Sequence, residues 1–234
     1  ELHKLRDEYA ASLAGEKRKI LICAGTGCIS SGSLVIYEEL KKIMTERGLK
    51  VEVELAEEPH DDSVGLKKSG CHGFCEMGPQ GWLYVKVKPG DCEEIVEKTI
   101  IGGEHIERLA YTKHGEVFKK QEEIPFYKKQ TRHVLEHCGH IDATSIKEYL
   151  GIGGYSAFER ALFDMTGEEI VQMISDSNLR GRGGGGFPTG RKWSQVRAQK
   201  TTPKYIVCNG DEGDPGAFMD RSIMEGDPHK MLEG

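Results

Sequence analysis

Asn178-Leu-Arg-Gly-Arg-Gly-Gly-Gly-Gly-Phe-Pro-Thr-Gly-Arg-Lys-Trp193 decides how the second half of the chain must fold. Consecutive glycines between fixed cations suit a phosphate-bearing ligand held by backbone amides, because glycine alone permits so close an approach. Gly181-x-Gly183-x-x-Gly186 formally satisfies the dinucleotide fingerprint. That fingerprint must leave a strand and open a helix, whereas here a helix-like segment precedes it and Pro188 follows, which argues against a Rossmann turn. A P-loop fails too: Gly185-x4-Gly190 is followed by Arg191 rather than Lys, and no Ser or Thr follows Lys192. The remaining bland alternative is a flexible linker, for which Phe187, Pro188 and Trp193 are poor residues.

Downstream, Val207-Cys-Asn-Gly-Asp-Glu-Gly-Asp-Pro-Gly216 sets Asp211, Glu212 and Asp214 just past a predicted strand over Lys204 to Cys208, and Asp220-Arg221 follows. The plain alternative for these carboxylates is a solvated turn. Upstream, Cys23 and Cys28 are separated by four residues and Cys71 and Cys75 by three. Four thiolates suit an iron-sulfur cluster. Structural zinc more often shows two-residue spacings but tolerates up to four, so zinc and unligated thiols stay open; a thioredoxin-type disulfide would need Cys-x-x-Cys, which is absent.

The glycine and acidic stretches together closely resemble the FMN- and NADH-binding flavoprotein subunit of NADH dehydrogenases, shared by NAD(P)-linked hydrogenases and formate dehydrogenases. The surroundings of the cysteines, Gly25-Thr-Gly-Cys28 and Ser69-Gly-Cys-His-Gly-Phe-Cys-Glu-Met-Gly-Pro79, resemble the thioredoxin-like 2Fe-2S ferredoxins. The resemblance implies that Cys23, Cys28, Cys71 and Cys75 hold a 2Fe-2S cluster, and that Gly181, Arg182, Gly183 and Lys192 contact FMN. It places Asn209, Asp211 and Glu212 against the flavin, Phe187 on the NADH adenine, and Asp214 where respiratory members carry glutamate beside the nicotinamide. Glu212 and Asp214 are thereby the expected catalytic carboxylates. A ferredoxin domain fused to the flavin domain departs from the respiratory subunit and is similar to cytoplasmic NAD(P)-linked iron hydrogenases, including those that couple NADH and ferredoxin; formate dehydrogenase flavin subunits are close competitors. The same likeness implies a hydrogenase or similar catalytic subunit and a small ferredoxin-like subunit as partners, NAD(P)H as substrate, and a further 4Fe-4S cluster beyond Gly234.

At 234 residues, with two cofactor motifs far apart, two domains are expected. A net charge of -6 and scattered basic residues speak against a nucleic-acid groove. No apolar run approaches a membrane span, and Glu1 to Lys19 lacks a signal-peptide core. Seven cysteines arranged as ligands rather than bridges fit a reducing cytoplasm. The opening at Glu1 and the stop soon after the acidic motif lead us to expect a fragment with a truncated flavin domain.

The predicted class is α/β: a thioredoxin-like ferredoxin domain over 1-103, a connector over 104-154, and the N-terminal part of an FMN/NAD(H)-binding domain over 155-234. Arg18 to Cys23 reads as a buried strand delivering Cys23 and Cys28 to the loop at its end. A helix follows, capped by Ser33, striped by Leu34, Tyr37, Leu40 and Met44, and stopped at Gly48. Lys50 to Ala56 and Trp82 to Lys88 read as strands and Glu93 to Ile101 as a helix, with the cluster at one end of the layer. Glu104 to Gly154 lacks periodicity and reads as a connector that wraps or docks. Within it His133, His137, Cys138 and His140 invite a metal hypothesis beside the plainer one of an exposed helix end. Ser156 to Phe163 and Thr166 to Ser175 read as helices, the second with a capping box and with Ile170 and Ile174 buried; Arg191 to Ala198 and a segment opening at Asp227-Pro228 complete the set. Cys92, Cys138 and Cys208 are left unassigned, Cys208 as a buried small residue.

Three functions follow: an oxidoreductase subunit passing hydride from NAD(P)H to FMN and electrons singly to iron-sulfur carriers, a non-catalytic electron-transfer and docking module, and a zinc-stabilised scaffold.

Overall fold

A computed structural model describes residues 1-16, 18-55, 63-69, 75-77 and 82-234, with the backbone alone at Thr26 and at 75-77. Contacts divide the chain into two compact units. Residues 1-154, 211-232 and 234 form the first, and residues 155-210 and 233 form the second.

The first unit opens with α1 (Leu2–Gly15), then β1 (Lys19–Cys23), α2 (Thr26–Ser30), α3 (Ser33–Glu46), β2 (Lys50–Glu52), β3 (Ser63–Ser69), β4 (Cys75–Met77) and β5 (Trp82–Tyr84). The strands form one sheet in the order β2-β3-β1-β4-β5, with β2, β3 and β1 parallel and β4 and β5 antiparallel. This is an α/β layer, as expected, with parallel strands flanked by an antiparallel hairpin. Ile20 and Ile22 of β1 and Val64 and Leu66 of β3 pack on Ile36, Tyr37, Leu40 and Met44 of α3 in the main core. Each such side chain, fully buried, contributes roughly 1.5–3 kcal/mol. Gly48, at φ +76, closes α3 with its amide donating to the Thr45 carbonyl and the Leu49 amide donating to that of Met44.

Helix α4 (Cys92–Glu94) runs on as a wide π turn over Ile95–Ile101. Its buried Ile95, Val96 and Ile100 close the same core, and Thr99 bonds Tyr84 through their hydroxyls at 2.8 Å. The segment read as a connector contributes the hairpin β6 (Tyr111–Lys113) and β7 (Glu116–Phe118), α5 (Pro125–Lys128) and α6 (Ile146–Gly151). It buries Leu109, Phe118, Ile124, Ile141, Tyr149 and Leu150 within the first unit.

Several expectations need correction. Ser33 does not cap α3: Gly32 stands at the N-cap in a left-handed conformation with no side-chain bond, and Ile36 rather than Leu34 completes the buried stripe. The strand from Trp82 ends at Tyr84, because Lys86 turns the chain at φ +57. The strand from Lys50 ends at Glu52; Ala56 lies outside the described residues. Helix α1 and strand β3 went unforeseen. Strand β3 carries Lys67 fully buried, and its ammonium pairs with Glu16 at the end of α1 and with Glu148 of α6 at 2.5 Å. Glu148 also accepts the Asp142 amide at 2.9 Å, and Lys19 lies 3.8 Å from the other Glu16 oxygen. Four alternating charges thus balance one another inside the protein. Gly151 lets α6 approach α1, since a β-carbon there would stand 2.9 Å from the Tyr9 carbonyl oxygen.

The second unit holds α7 (Ser156–Phe163), α8 (Gly167–Asp176) and α9 (Thr189–Arg197). Thr166 and Glu169 form the expected capping box: the Glu169 amide donates to the Thr166 hydroxyl at 3.3 Å and the Thr166 amide to the Glu169 carboxylate at 2.7 Å. Ile170 and Ile174 are half-buried rather than buried. Glu233 accepts the amides of Tyr155 and Ala157 at the start of α7, at 2.8 and 2.9 Å. Lys204 to Cys208 is not a strand. A strand exists only when paired, and among the described residues none runs beside it, so Ile206 is fully exposed. Returning to the first unit, α10 (Met219–Gly226) leads into α11 (Pro228–Glu233), which Asp227 caps as predicted through the Lys230 amide at 3.1 Å.

The Lys67 network generates a stability prediction. Lys67→Met leaves two carboxylates buried without their cation and costs about 3–5 kcal/mol in denaturant unfolding. Replacing Glu16 and Glu148 by Gln in the same protein recovers part of that loss.

Candidate functional site

Helix α8 ends where Asn178 turns the chain at φ +55. The Gly181 amide then donates to the Phe187 carbonyl at 2.9 Å and the Thr189 amide to the Leu179 carbonyl at 2.9 Å, with Arg180 bridged to Pro188 between them. This pinch closes residues 182-186 into a projecting loop. Gly184 (φ +90) and Gly186 (φ +57) occupy the left-handed region that only glycine enters without cost, and β-carbons on Gly183 to Gly186 would meet open space. Arg180 donates to the Gly186 carbonyl at 3.2 Å, and Arg191 lies over the Phe187 ring with its guanidinium 5.7 Å from the centroid.

Among the described residues the Arg182 and Lys192 side chains take no acceptor. The loop therefore presents backbone unobstructed by side chains together with two uncommitted cations, which fits the phosphate end of a mononucleotide. Behind it, Gly190 lets α9 lie against α8: a β-carbon there would stand 2.6 Å from the Ser175 α-carbon. A cleft of about 320 Å³ opens between the two helices, lined by Ile174, Asn178, Leu179, Arg191, Ser194 and Gln195 among others.

The acidic stretch is irregular, as a turn-rich sequence should be. Glu212 is committed: its two oxygens accept the amides of Asp220 and Arg221 at 2.8 and 3.0 Å, at the start of α10. Burial pushes its pKa up, but the backbone donors of Arg221, Asp220 and Met219 and the Arg221 charge outweigh that, holding the carboxyl below its ordinary range. The Asp214 carbonyl accepts the Ala217 amide at 3.0 Å around Gly216 at φ +84. Gly181, Arg182, Gly183, Phe187, Lys192 and Asn209 belong to the second unit, and Asp211, Glu212 and Asp214 to the first.

In the first unit Cys23 ends β1 and is fully buried, and Cys28 lies half-buried in α2. The Ala24 amide donates to the Ser69 carbonyl at 2.8 Å, tying this corner to the end of β3. Strand β4 runs antiparallel to β1, so its first residue, Cys75, falls at the sheet end where β1 finishes. The side chain of Cys75 and all of Cys71 lie outside the described residues.

Among the described residues, no three His, Cys, Asp or Glu side chains converge as metal ligands. Of the group His133, His137, Cys138 and His140, His137 bonds through Nδ1 to the buried Asp227 at 2.6 Å, Cys138 is buried, and the His140 carbonyl accepts Lys19 at 2.8 Å. Burial, with Glu39 and Asp91 nearby, pushes the Cys92 thiol up to about 11, which keeps it protonated and unreactive. Cys208, expected to be buried, is exposed, in a segment that forms no strand.

Sequence reasoning missed Arg180, whose side chain fastens the glycine loop, and the use of Glu212 as a helix cap. The spacing from Glu212 to Asp220 follows no local capping pattern that would have signalled it.

Residues 174–234 match the family model of the Nuo51 FMN-binding domain. The NADP-reducing hydrogenase subunit HndC of Solidesulfovibrio fructosivorans is 50% identical over 106 residues, 45% of this chain and 21% of that relative. An NADH-quinone oxidoreductase subunit of Rhizobium meliloti is 54% identical over 96 residues, 41% of this chain and 22% of the relative. The matched stretch thus spans about a fifth of these relatives. A solved NAD+-reducing nickel-iron hydrogenase chain, at 20% identity and a TM-score of 0.32, covers 93% of this chain and 35% of its own length, too slight a likeness to bear on the fold. The resemblance of the glycine and acidic stretches to the FMN-binding flavoprotein subunits is borne out. No helix among the described residues is long and apolar enough to cross a membrane.

The two kinds of glycine separate experimentally. Gly190→Ala forces α8 and α9 apart and costs on the order of 1–3 kcal/mol. Gly183→Ala, facing open space at an unstrained φ, changes the thermal midpoint by the equivalent of less than about 1 kcal/mol.

Proposed function

We propose that the chain forms part of the flavin subunit of a multi-subunit oxidoreductase that exchanges hydride between NAD(P)(H) and FMN and passes electrons singly to iron-sulfur clusters, in an NAD(P)-reducing or electron-bifurcating iron hydrogenase. The observation that carries this is the pinched glycine loop with Arg182 and Lys192 uncommitted, inside the stretch that matches the FMN-binding domain.

Backbone amides of residues 183-186 would hold the phosphate above the pinch that the Gly181 amide closes on Phe187, and Arg182 and Lys192 would offset its charge. Phe187, already under a guanidinium, offers a flat face to an adenine. By the resemblance to the flavoprotein subunits, Asn209 and Asp211 would lie against the flavin and Asp214 beside the nicotinamide. Bound flavin supplies the conversion between two-electron hydride transfer and single-electron steps. The protein's part is position and charge.

Cys23, Cys28, Cys71 and Cys75 hold a 2Fe-2S cluster in the ferredoxin-like layer. What supports this is a buried thiol, a half-buried thiol and the backbone of a third cysteine at one end of the sheet. A hydrogenase-type catalytic subunit and a small ferredoxin-like subunit are the partners this chemistry calls for. The likeness to the Rhizobium meliloti protein favours a second reading, in which the electrons pass toward quinone. The identity of the co-purifying subunits separates the two.

On the native full-length complex, flavin and iron-sulfide are expected in stoichiometric amounts, with NAD(P)H-dependent dye reduction. Arg182→Ala and Lys192→Ala each weaken FMN binding about tenfold, the worth of one charge-assisted hydrogen bond. Cys23→Ser removes the 2Fe-2S signal while retaining flavin. An intact complex without flavin, or with zinc in place of iron, contradicts the proposal.

A further inference from the structure

Glu212 sits in the acidic stretch expected beside the flavin, yet both its oxygens are occupied by main-chain donors. They accept the Asp220 and Arg221 amides at 2.8 and 3.0 Å, across separations of eight and nine residues. These amides open α10, whose own N-cap residue, Phe218, provides no side-chain acceptor. An α-helix leaves its first amides without partners and carries partial positive charge there, so a carboxylate from a preceding loop satisfies both needs at once.

The loop so closed has its own internal tie, from the Ala217 amide to the Asp214 carbonyl. The far end of α10 is anchored as well. Gly226 packs where a β-carbon would stand 2.5 Å from the Cys138 sulfur, and Asp227 holds His137 at 2.6 Å while capping α11. From Glu212 a continuous set of bonds therefore fixes Asp211 to Asp214 against the body of the first unit.

We infer that Glu212 is a positioning residue, capping α10 and thereby fixing the Asp211–Asp214 loop, and that it exchanges no proton during turnover. The inference rests on the proposed flavin site for its functional half and on the hydrogen bonds alone for its structural half. The low-lying ionisation of Glu212 agrees, since a carboxylate held by backbone donors stays charged at neutral pH.

Four proteins test it in the full-length complex: the parent, Glu212→Ala, Phe218→Ser, and the double variant. Phe218 is largely exposed, and a serine at that N-cap accepts a helix amide without bringing a titratable group. Glu212→Ala is expected to lower the unfolding midpoint of the flavin-free protein and to weaken FMN binding about tenfold. Adding Phe218→Ser restores both, and turnover per bound flavin then follows the parent's pH profile.

A double variant that regains stability and flavin but turns over about a hundredfold slower, or loses an ionisation from its pH profile, identifies Glu212 as a proton carrier and overturns the inference. An unchanged midpoint in Glu212→Ala overturns the cap itself. If the midpoints follow the expected order while the parent binds no FMN, the cap stands and the proposed function fails.

Discussion

A main chain can offer its amide hydrogens to an anion only where no side chain stands in front of them. Residues 183-186 meet that condition with four successive glycines, two of them in left-handed conformations that other residues adopt only at a cost. A bare loop would be floppy without the pinch below it, where Gly181 and Phe187, Leu179 and Thr189 are joined by backbone bonds and Arg180 holds the Gly186 carbonyl. The pinch in turn depends on the close approach of α9 to α8 at Gly190. Loop geometry and helix packing are thus one constraint, on which the proposed recognition of a ligand depends.

The α/β layer of the first unit shows a second arrangement in which charge is used inside the fold. Lys67 stands in a strand whose neighbours are apolar, and its cost of burial is offset by Glu16 at the end of α1 and Glu148 in α6. The network fastens α1 and α6 to the strand that leads into the cysteine segment. Its position holds steady the sheet end at which Cys23 and Cys75 lie.

Much of this was legible in the sequence. Ile20 to Cys23 is a short apolar run, α3 follows a helical period, and Thr166 with Glu169 forms a local capping box, because each signal is contained within a few residues. Strand β3 was hidden because Lys67 reads as exposed until its carboxylates arrive from 51 and 81 positions away. Lys204 to Cys208 misled for the opposite reason: its composition favours a strand, but pairing belongs to a neighbour and not to the segment. The glycine loop was visible from composition, whereas the role of Arg180 and the capping by Glu212 depend on how the chain turns back on itself. The stretch from Asp211 to Asp214 illustrates the limit, since nothing in its local sequence shows that the Glu212 carboxylate accepts the amides of Asp220 and Arg221.

The proposed recognition of a phosphate by the backbone of the glycine loop stands or falls on the phosphate itself. The most direct measurement compares FMN with riboflavin, which lacks only the phosphate, by fluorescence titration of the full-length protein. The account predicts that riboflavin binds at least about a hundredfold more weakly, and that Arg182→Ala narrows the difference. Equal affinity for the two flavins would contradict it.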